Sequence, residues 1–473
     1  MRGHLSRLLG LAGPVYAGLL SGVVATAIGT FWAGRLGADA VAAVTLAGTV
    51  ENLLLGLVLV VASGTTLRIS HAVGAADPSA AGRTARAAWR LWACGSLLLA
   101  VPGFLLREAI AEAFLDGPAA GLAADYFAVA FPAFGLFFGQ RVADELFKGV
   151  GDTRTPMRLA LVSNALLLVL DPLLIFGPGP FPALGVTGAA LALTVARAVT
   201  LAVTVLLRRR HRLAAPAGGL LTEARRIVAA GAPFGFDFTA RMGVGTAQLG
   251  LVAAFGVPAV AGYGVGYRVL MVVTMAFYAV RQAAAIEAAR LTGAGDAAGL
   301  RTLGRDTARL AGALGAGAAV LCAALAVPVT ALFTEDRAVA AQSVGFLRMT
   351  GFYLLPYALV VALGGVLQAT GAGRPLVVAV LLGLAAQLAA GVVLSGPFGV
   401  DGLWAGMALG AVVQLGLMRL LAVRRRPAGP AEAAAGPVDV AVGPVAPVAP
   451  VGAVEPGEPG KPARSTRRSA PVE

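Results

Sequence analysis

The chain is poor in the residues that do chemistry. It has two cysteines and three histidines in 473 residues, and only 13% of its positions are charged. Cys94 and Cys322 each stand inside an apolar run, as small packing residues rather than a disulfide or metal pair. The histidines are too few and too scattered for a metal site. No HExxH, CxxC or P-loop pattern occurs, so no metal, nucleotide or other cofactor is assigned. No nucleophile–base constellation appears either, which makes an enzyme the poorest reading and leaves no catalytic residue to name. A soluble domain carries roughly 25% charged residues. About half that share excludes an ordinary soluble chain.

What is present is apolar length. The composition is 58% hydrophobic, with a mean hydropathy of +0.82. Up to about residue 423 the chain is almost entirely apolar runs, most of them long enough to cross a ~30 Å hydrocarbon core. About twelve spans are expected: 8–30, 40–66, 88–106, 121–147, 157–177, 185–207, 227–252, 258–284, 305–328, 346–369, 374–395 and 400–422. Continuous runs of this kind exclude a membrane β-barrel, whose strands show ~10-residue alternation. The fold class is therefore all-α and polytopic. The first span is too long for a cleaved signal peptide and contains Pro14.

The net charge of +13 does not point to nucleic acid, because the basic residues lie in alternate loops. Arg2, Arg83, Arg154, Arg208, Arg301, Arg374 and Arg424 mark one side. The other side has little beyond Arg35, Arg107 and Arg337, with Glu108, Asp116 and Glu335 as company. That asymmetry predicts a multi-pass protein of the inner (plasma) membrane with both termini in the cytoplasm.

The two halves also repeat each other at a spacing of 219–220 residues. Gly13-Pro14 returns as Ala232-Pro233, Leu36-Gly37-Ala38 as Phe255-Gly256-Val257, Gly74-Ala75-Ala76-Asp77 as Gly293-Ala294-Gly295-Asp296, and Gly149-Val150-Gly151 as Ala369-Thr370-Gly371. Four landmarks in order at one offset indicate duplication. Each copy holds six spans, so the copies share one orientation and their pseudo-twofold axis runs along the membrane normal. The expected division is a six-helix lobe over 1–207, a cytoplasmic linker over 208–224, a second six-helix lobe over 225–423 and a tail over 424–473. The tail is rich in Pro, Ala, Gly and Val and is expected to be disordered. Two half-bundles that rock about a shared site are a transporter architecture.

Gly149-Val150-Gly151-Asp152-Thr153-Arg154-Thr155-Pro156, Leu170-Asp171-Pro172-Leu173-Leu174-Ile175-Phe176-Gly177 and Phe181-Pro182-Ala183-Leu184-Gly185-Val186-Thr187-Gly188 follow one another in the first half. With Gly34-Arg35-Leu36-Gly37 upstream, these residues resemble the MATE (multidrug and toxic compound extrusion) family. The second half resembles it more loosely, through Gly371-Ala372-Gly373-Arg374-Pro375 and Gly399-Val400-Asp401-Gly402. The resemblance covers roughly residues 8–423. It implies a secondary antiporter in which inward H+ or Na+ flow drives export of an amphipathic, often cationic, organic compound. The chain departs from the family in three places. Bacterial members usually carry an Asp in the first span where Gly29 stands. Many carry an Asn where Leu167 stands, the nearest Asn here being Asn164. One branch places a Glu where Arg241 stands.

Ionisable groups inside spans are costly, so each is a functional candidate by default. Asp171 matches the family's acidic position in the first lobe. It is either an ion acceptor facing the lobe cavity or an Asp-Pro helix breaker. Glu51 either replaces the missing first-span Asp or pairs with an Arg on another span, Arg268 being one candidate. Asp237 and Arg241 share a helix face at i,i+4 and can form either a packing pair or a displaceable switch. Arg197 and Arg268 are expected as counter-ions, with an anionic substrate as their other use. Asn164 is placed with the cavity. Arg141, Asp144 and Glu145 near the end of the fourth span, with Arg141 and Glu145 at i,i+4, and Arg281 and Glu287 in the matching part of the eighth, are expected in gate or helix-end salt bridges rather than in substrate contacts. The partners implied are a small organic molecule, H+ or Na+, and membrane lipid. The alternative readings are a flippase for a lipid-linked precursor, which needs free arginines, and a non-coupled membrane scaffold.

Overall fold

The structure is a computed structural model that describes residues 2–178, 182–208 and 219–424. Most of the expected linker and nearly all of the expected tail lie outside the described residues. The described chain is helical throughout: α1 (Arg2–Gly34), α2 (Ala38–Gly74), α3 (Pro78–Leu105), α4 (Arg107–Glu112), α5 (Gly117–Ala130), α6 (Phe134–Gly149), α7 (Arg154–Phe176), α8 (Gly185–Arg208), α9 (Leu220–Ala253), α10 (Val257–Gly293), α11 (Ala297–Ala324), α12 (Ala326–Ala331), α13 (Arg337–Ala369), α14 (Gly373–Phe398) and α15 (Val400–Arg424). Both lobes lie in one unit, Met1–Arg424.

Ten of these helices are long and apolar enough to cross a membrane. The bent pair α5–α6 supplies an eleventh crossing. α9 has the length of a twelfth, and Asp237 and Arg241 near its middle are what make it less apolar. The expected spans thus map onto α1, α2, α3, α5–α6, α7 and α8 in one lobe, and α9, α10, α11, α13, α14 and α15 in the other.

The expected fourth span, 121–147, is broken. α5 and α6 meet at a 55° bend around Phe131-Pro132-Ala133. Pro132 has no N–H to give, so the helix loses a rung there. Phe131 fills the space beside Gly103 on α3, where even one methyl group would collide with its ring. Its counterpart in the second half, α13, runs unbroken for 33 residues.

The repeated landmarks are helix ends. Asp77 caps α3 by accepting the Ala80 N–H at 2.9 Å, and Asp296 caps α11 by accepting the Gly299 N–H at 2.7 Å. Gly37 and Gly256, at φ of 116° and 90°, make the matching turns before α2 and α10. The short helices α4 and α12 occupy equivalent positions, although no sequence signal announced them.

One end of the bundle holds the start of α1 and the α2–α3, α6–α7, α10–α11 and α13–α14 turns. It carries most of the loop arginines and is called the basic end below. The two lobes approach each other closely from mid-height to this end. Gly56 of α2 lies against Thr239, Gly64 against the Ile227 carbonyl, and Gly231 of α9 against the Val60 carbonyl. At the basic end the contact is reciprocal. A Cβ on Gly74 would strike the Arg290 carbonyl, and one on Gly293 would strike the His71 carbonyl. Small residues permit such backbone approach between membrane helices. Leu8, Leu11, Ala12 and Val15 of α1 complete the seam by packing into the second lobe's core beside Ala283 and Ala284.

Candidate functional site

The intramembrane charges fall into two groups, one in each lobe. In the first lobe, α2 supplies Glu51 and α8 supplies Arg197. Arg197 Nη2 donates to Glu51 Oε1 at 2.6 Å, and its guanidinium lies 4.7 Å from the centre of the Phe137 ring on α6. The pair is partly open, with side-chain exposures of 22% and 33%. Glu51 is thus partnered by Arg197 and not by Arg268. Tyr126, buried on α5, lies within electrostatic reach of Glu51, Arg197 and Asp171.

Asp171 differs from the other acids. It stands one turn and a half from the end of α7 and is 2% exposed. Among the described residues its carboxylate accepts no hydrogen bond and forms no ion pair. A buried, unpaired carboxylate is expensive while it is charged. Asn164, two turns earlier, is turned to a different use. Its Nδ2 donates to the Ser21 carbonyl at 2.9 Å and to the Ser21 hydroxyl at 2.8 Å, tying α7 to α1.

In the second lobe, Asp237 holds two arginines. Its Oδ1 accepts from Arg241 Nε at 2.8 Å, one turn along α9. Its Oδ2 accepts from Arg281 Nη1 on α10. Arg241 also lies 5.0 Å from the centre of the Tyr357 ring and reaches Gln414 Oε1 at 3.4 Å. The Tyr357 and Tyr278 hydroxyls are 3.2 Å apart, and Tyr353 stacks on Tyr357 at 4.6 Å. Arg281 packs 4.4 Å from the centre of the Phe234 ring. Among the described residues its Nη2 has no partner, and neither has Gln414 Nε2.

Arg281, expected in a gate or helix-end salt bridge, is drawn instead to an acid on the neighbouring α9. Arg281 belongs to the Asp237 cluster, 44 residues away in sequence, and sequence spacing offers no signal for such a pair. Arg268, the remaining candidate, is exposed on α10 and makes no ion pair among the described residues.

A third set of polar groups lies nearer the basic end and joins the lobes. Arg68 Nε of α2 donates to Glu223 Oε1 of α9 at 2.9 Å, and Thr84 Oγ1 donates to the same oxygen at 2.8 Å. Arg7 of α1 pairs with the buried Glu287 of α10 at 2.9 Å. Lys148 of α6 donates to Glu145 at 2.6 Å and to Gln282 of α10 at 3.3 Å. Gln368 of α13 donates to both the Ser63 hydroxyl and the Ala230 carbonyl at 3.0 Å. Glu145 and Glu287 do form ion pairs, but with Lys148, Arg7 and Arg290 rather than with Arg141 and Arg281. Arg141 instead lies 5.4 Å from the Phe137 ring centre. Among the described residues, no cluster of three or more His, Cys, Asp or Glu is arranged to hold a metal ion.

Comparison with known proteins matches this architecture. The MatE family model fits twice, over residues 14–173 and 233–393, one match in each lobe and at the offset of the internal repeat. A relative described as a probable multidrug resistance protein NorM, from Deinococcus radiodurans, is 28% identical over 420 residues, covering 86% of this chain and 92% of its own length. An FAD transporter of Shewanella oneidensis is 26% identical over 216 residues, covering 44% of this chain and 46% of its own. The solved bent form of the Vibrio cholerae MATE transporter VcmN superposes with a TM-score of 0.84 at 20% identity, covering 89% of this chain and 97% of that one. Two lobes of six spans, repeated in sequence and each matched by the family model, identify the chain as a member of the MatE family of membrane transporters.

Proposed function

We propose that the protein is a secondary antiporter that exports amphipathic organic compounds across the plasma membrane, driven by inward flow of H+ or Na+. The first-lobe carboxylate Asp171 carries this reading. Glu51 and Asp237 are already neutralised by arginines, whereas Asp171 is buried and unpaired. Binding a proton or cation there relieves the cost of a desolvated charge. Proton coupling is the simpler version, since one carboxylate is enough to bind a proton. The family and the multidrug resistance relative support the substrate class.

In the proposed cycle the basic end faces the cytoplasm, as do both termini. The seam along α2, α9 and α10 and the pairs Arg68–Glu223 and Arg7–Glu287 close the cytoplasmic half, so this conformation is the outward-facing one. Inward opening requires these pairs to break. Loading Asp171 biases the equilibrium between the two states by its differential affinity for them. Asp237, held by Arg241 and Arg281, serves as a second, displaceable site beside the tyrosine cluster, where the aromatic faces suit an organic cation.

The flippase reading depended on free guanidinium groups facing the cavity. Arg197 and Arg241 are paired, and only Arg268 keeps that basis. The deciding experiment is substrate-stimulated ion flux in proteoliposomes with an imposed ΔpH or ΔNa+, comparing wild type with Asp171→Asn. Exchange for an organic cation in the wild type and its loss in the variant are expected. If the variant exchanges as well as the wild type, Asp171 is not the coupling group. Failure of every organic cation under both gradients removes the antiporter reading itself.

A further inference from the structure

A cavity of about 340 Å³ opens at the basic end, between the two lobes and away from both groups of intramembrane charges. Its charged lining is Arg7 on α1, Arg290 on α10, Arg154 at the start of α7, and Asp152 in the turn that precedes it. The charges do not cancel. Arg7 and Arg290 share a single acid, the fully buried Glu287, at 2.9 Å and 3.0 Å. One carboxylate against two guanidinium groups leaves a positive excess. Asp152 adds a second carboxylate, so with Arg154 the count is three guanidinium groups against two acids, and the Asp152 oxygens are occupied within the turn: they accept the Arg154 N–H at 3.1 Å, the Thr155 N–H at 3.0 Å and the Thr155 hydroxyl at 2.6 Å. The Arg154 side chain makes no ion pair among the described residues.

Thr153 adds an independent observation. It lines the same cavity and is 2% exposed, yet its hydroxyl makes no hydrogen bond among the described residues. Beside it, Gly151 sits at a φ of 93° with open space where a side chain would project, so nothing from the turn fills the cavity.

We infer that this cavity binds a phosphate group, and that the bound group bridges the lobes and holds them together at the basic end. The Arg154 guanidinium fork can engage two phosphate oxygens as a pair, while Arg7 and Arg290, which hold Glu287 through their Nε atoms, add positive charge and their remaining N–H donors. The Thr153 hydroxyl supplies a further donor. The volume far exceeds the ~30 Å³ share of one water molecule, which leaves room for whatever the phosphate is attached to. Two sources share this chemistry: soluble inorganic or organic phosphate, and the headgroup of an anionic phospholipid. Arg7 and Arg154 belong to the first lobe and Arg290 to the second, so the site is whole only while the lobes are closed at this end. The inference is independent of the substrate and the coupling ion.

Hydrogen exchange on the full chain in nanodiscs tests it, read at residues 68–76 and 284–293. In discs of phosphatidylcholine alone, inorganic phosphate is added against chloride at equal ionic strength. In a second arm, phosphatidylglycerol is included and phosphate omitted. Exchange through lobe opening should slow about tenfold when the ligand is at ten times its dissociation constant. Slowing by phosphate in neutral lipid identifies the soluble source, and slowing only by phosphatidylglycerol identifies the headgroup. Arg154→Gln and Thr153→Val should each remove the effect. Arg154 is exposed, so its replacement leaves the core intact. The inference is overturned if neither arm slows exchange, if chloride does so equally, or if the slowing survives Arg154→Gln.

Discussion

Replacing Asp237 by Asn is expected to destabilise the second lobe far more than replacing either arginine it holds. The three side chains are 2%, 12% and 4% exposed for Asp237, Arg241 and Arg281, so solvent does little to screen them. Removing the acid strands two guanidinium groups, and stranding even one buried charge costs about 3–5 kcal/mol. Arg281→Gln instead loses a charge-assisted hydrogen bond worth about 1.5–3 kcal/mol, and part of that loss is offset because the cluster's excess positive charge disappears. On the central values of these ranges Asp237→Asn should therefore cost about 2 kcal/mol more than Arg281→Gln. The sign of the arginine substitution should also reverse with background. Arg281→Gln destabilises the wild type but stabilises the Asp237→Asn protein, because there it removes one of two repelling cations. Cys322 supplies the assay. It is 6% exposed in the second-lobe core, so a thiol-reactive fluorogenic dye reports unfolding of that lobe once the exposed Cys94 is changed to Ser. Equal costs for Arg281→Gln in the two backgrounds would refute the charge accounting.

Other outcomes are expected at the seam and in the first lobe. Gly64→Ala and Gly231→Ala each place a methyl group against a carbonyl of the opposite lobe. Overpacking of this kind costs about 1–3 kcal/mol, and cross-linking yield between cysteines placed across the basic end should fall, whereas Gly10→Ala, with open space around it, leaves the yield unchanged. Glu51→Gln breaks a partly exposed pair and should cost no more than about 1 kcal/mol in thermal unfolding; a loss of several times that would mean the pair is more buried than its geometry shows. At the cap of α3, the Ser79 hydroxyl first, and then the Ala80 N–H, hold the Asp77 carboxyl below the usual carboxylate range. Its contribution is therefore complete above the ordinary value and fades as pH falls through the lowered one. Hydrogen exchange at the start of α3 should follow that course and lose it in Asp77→Ala.

Much of this molecule could be read from the chain, and the parts that could not share a cause. Helix positions were legible because a hydrocarbon core demands long uninterrupted apolar runs, and the landmarks at Asp77 and Asp296 were legible because caps and turns are local. The break at Pro132 was not, because the apolar run around it is continuous and tolerates a bend silently. Asp237–Arg241 was visible as an i,i+4 pair. Arg281 was not, because its partner lies on another helix, and neither was the match of Glu51 with Arg197 rather than Arg268. Local rules find the elements and their ends. They do not find which side chains meet when two helices cross.

The reciprocal contact at the basic end has a consequence for how such a chain arises. His71 and Gly74 meet Arg290 and Gly293, and each pair is the other's image under the internal repeat. A surface that binds its own copy in this way is what a symmetric homodimer requires. A six-helix ancestor carrying it would have had a self-complementary patch through which two copies could pair before they were fused. Fusion then freed each copy to change alone. One lobe could keep a solitary carboxylate at Asp171 while the other surrounded Asp237 with arginines, a division of labour closed to two identical subunits.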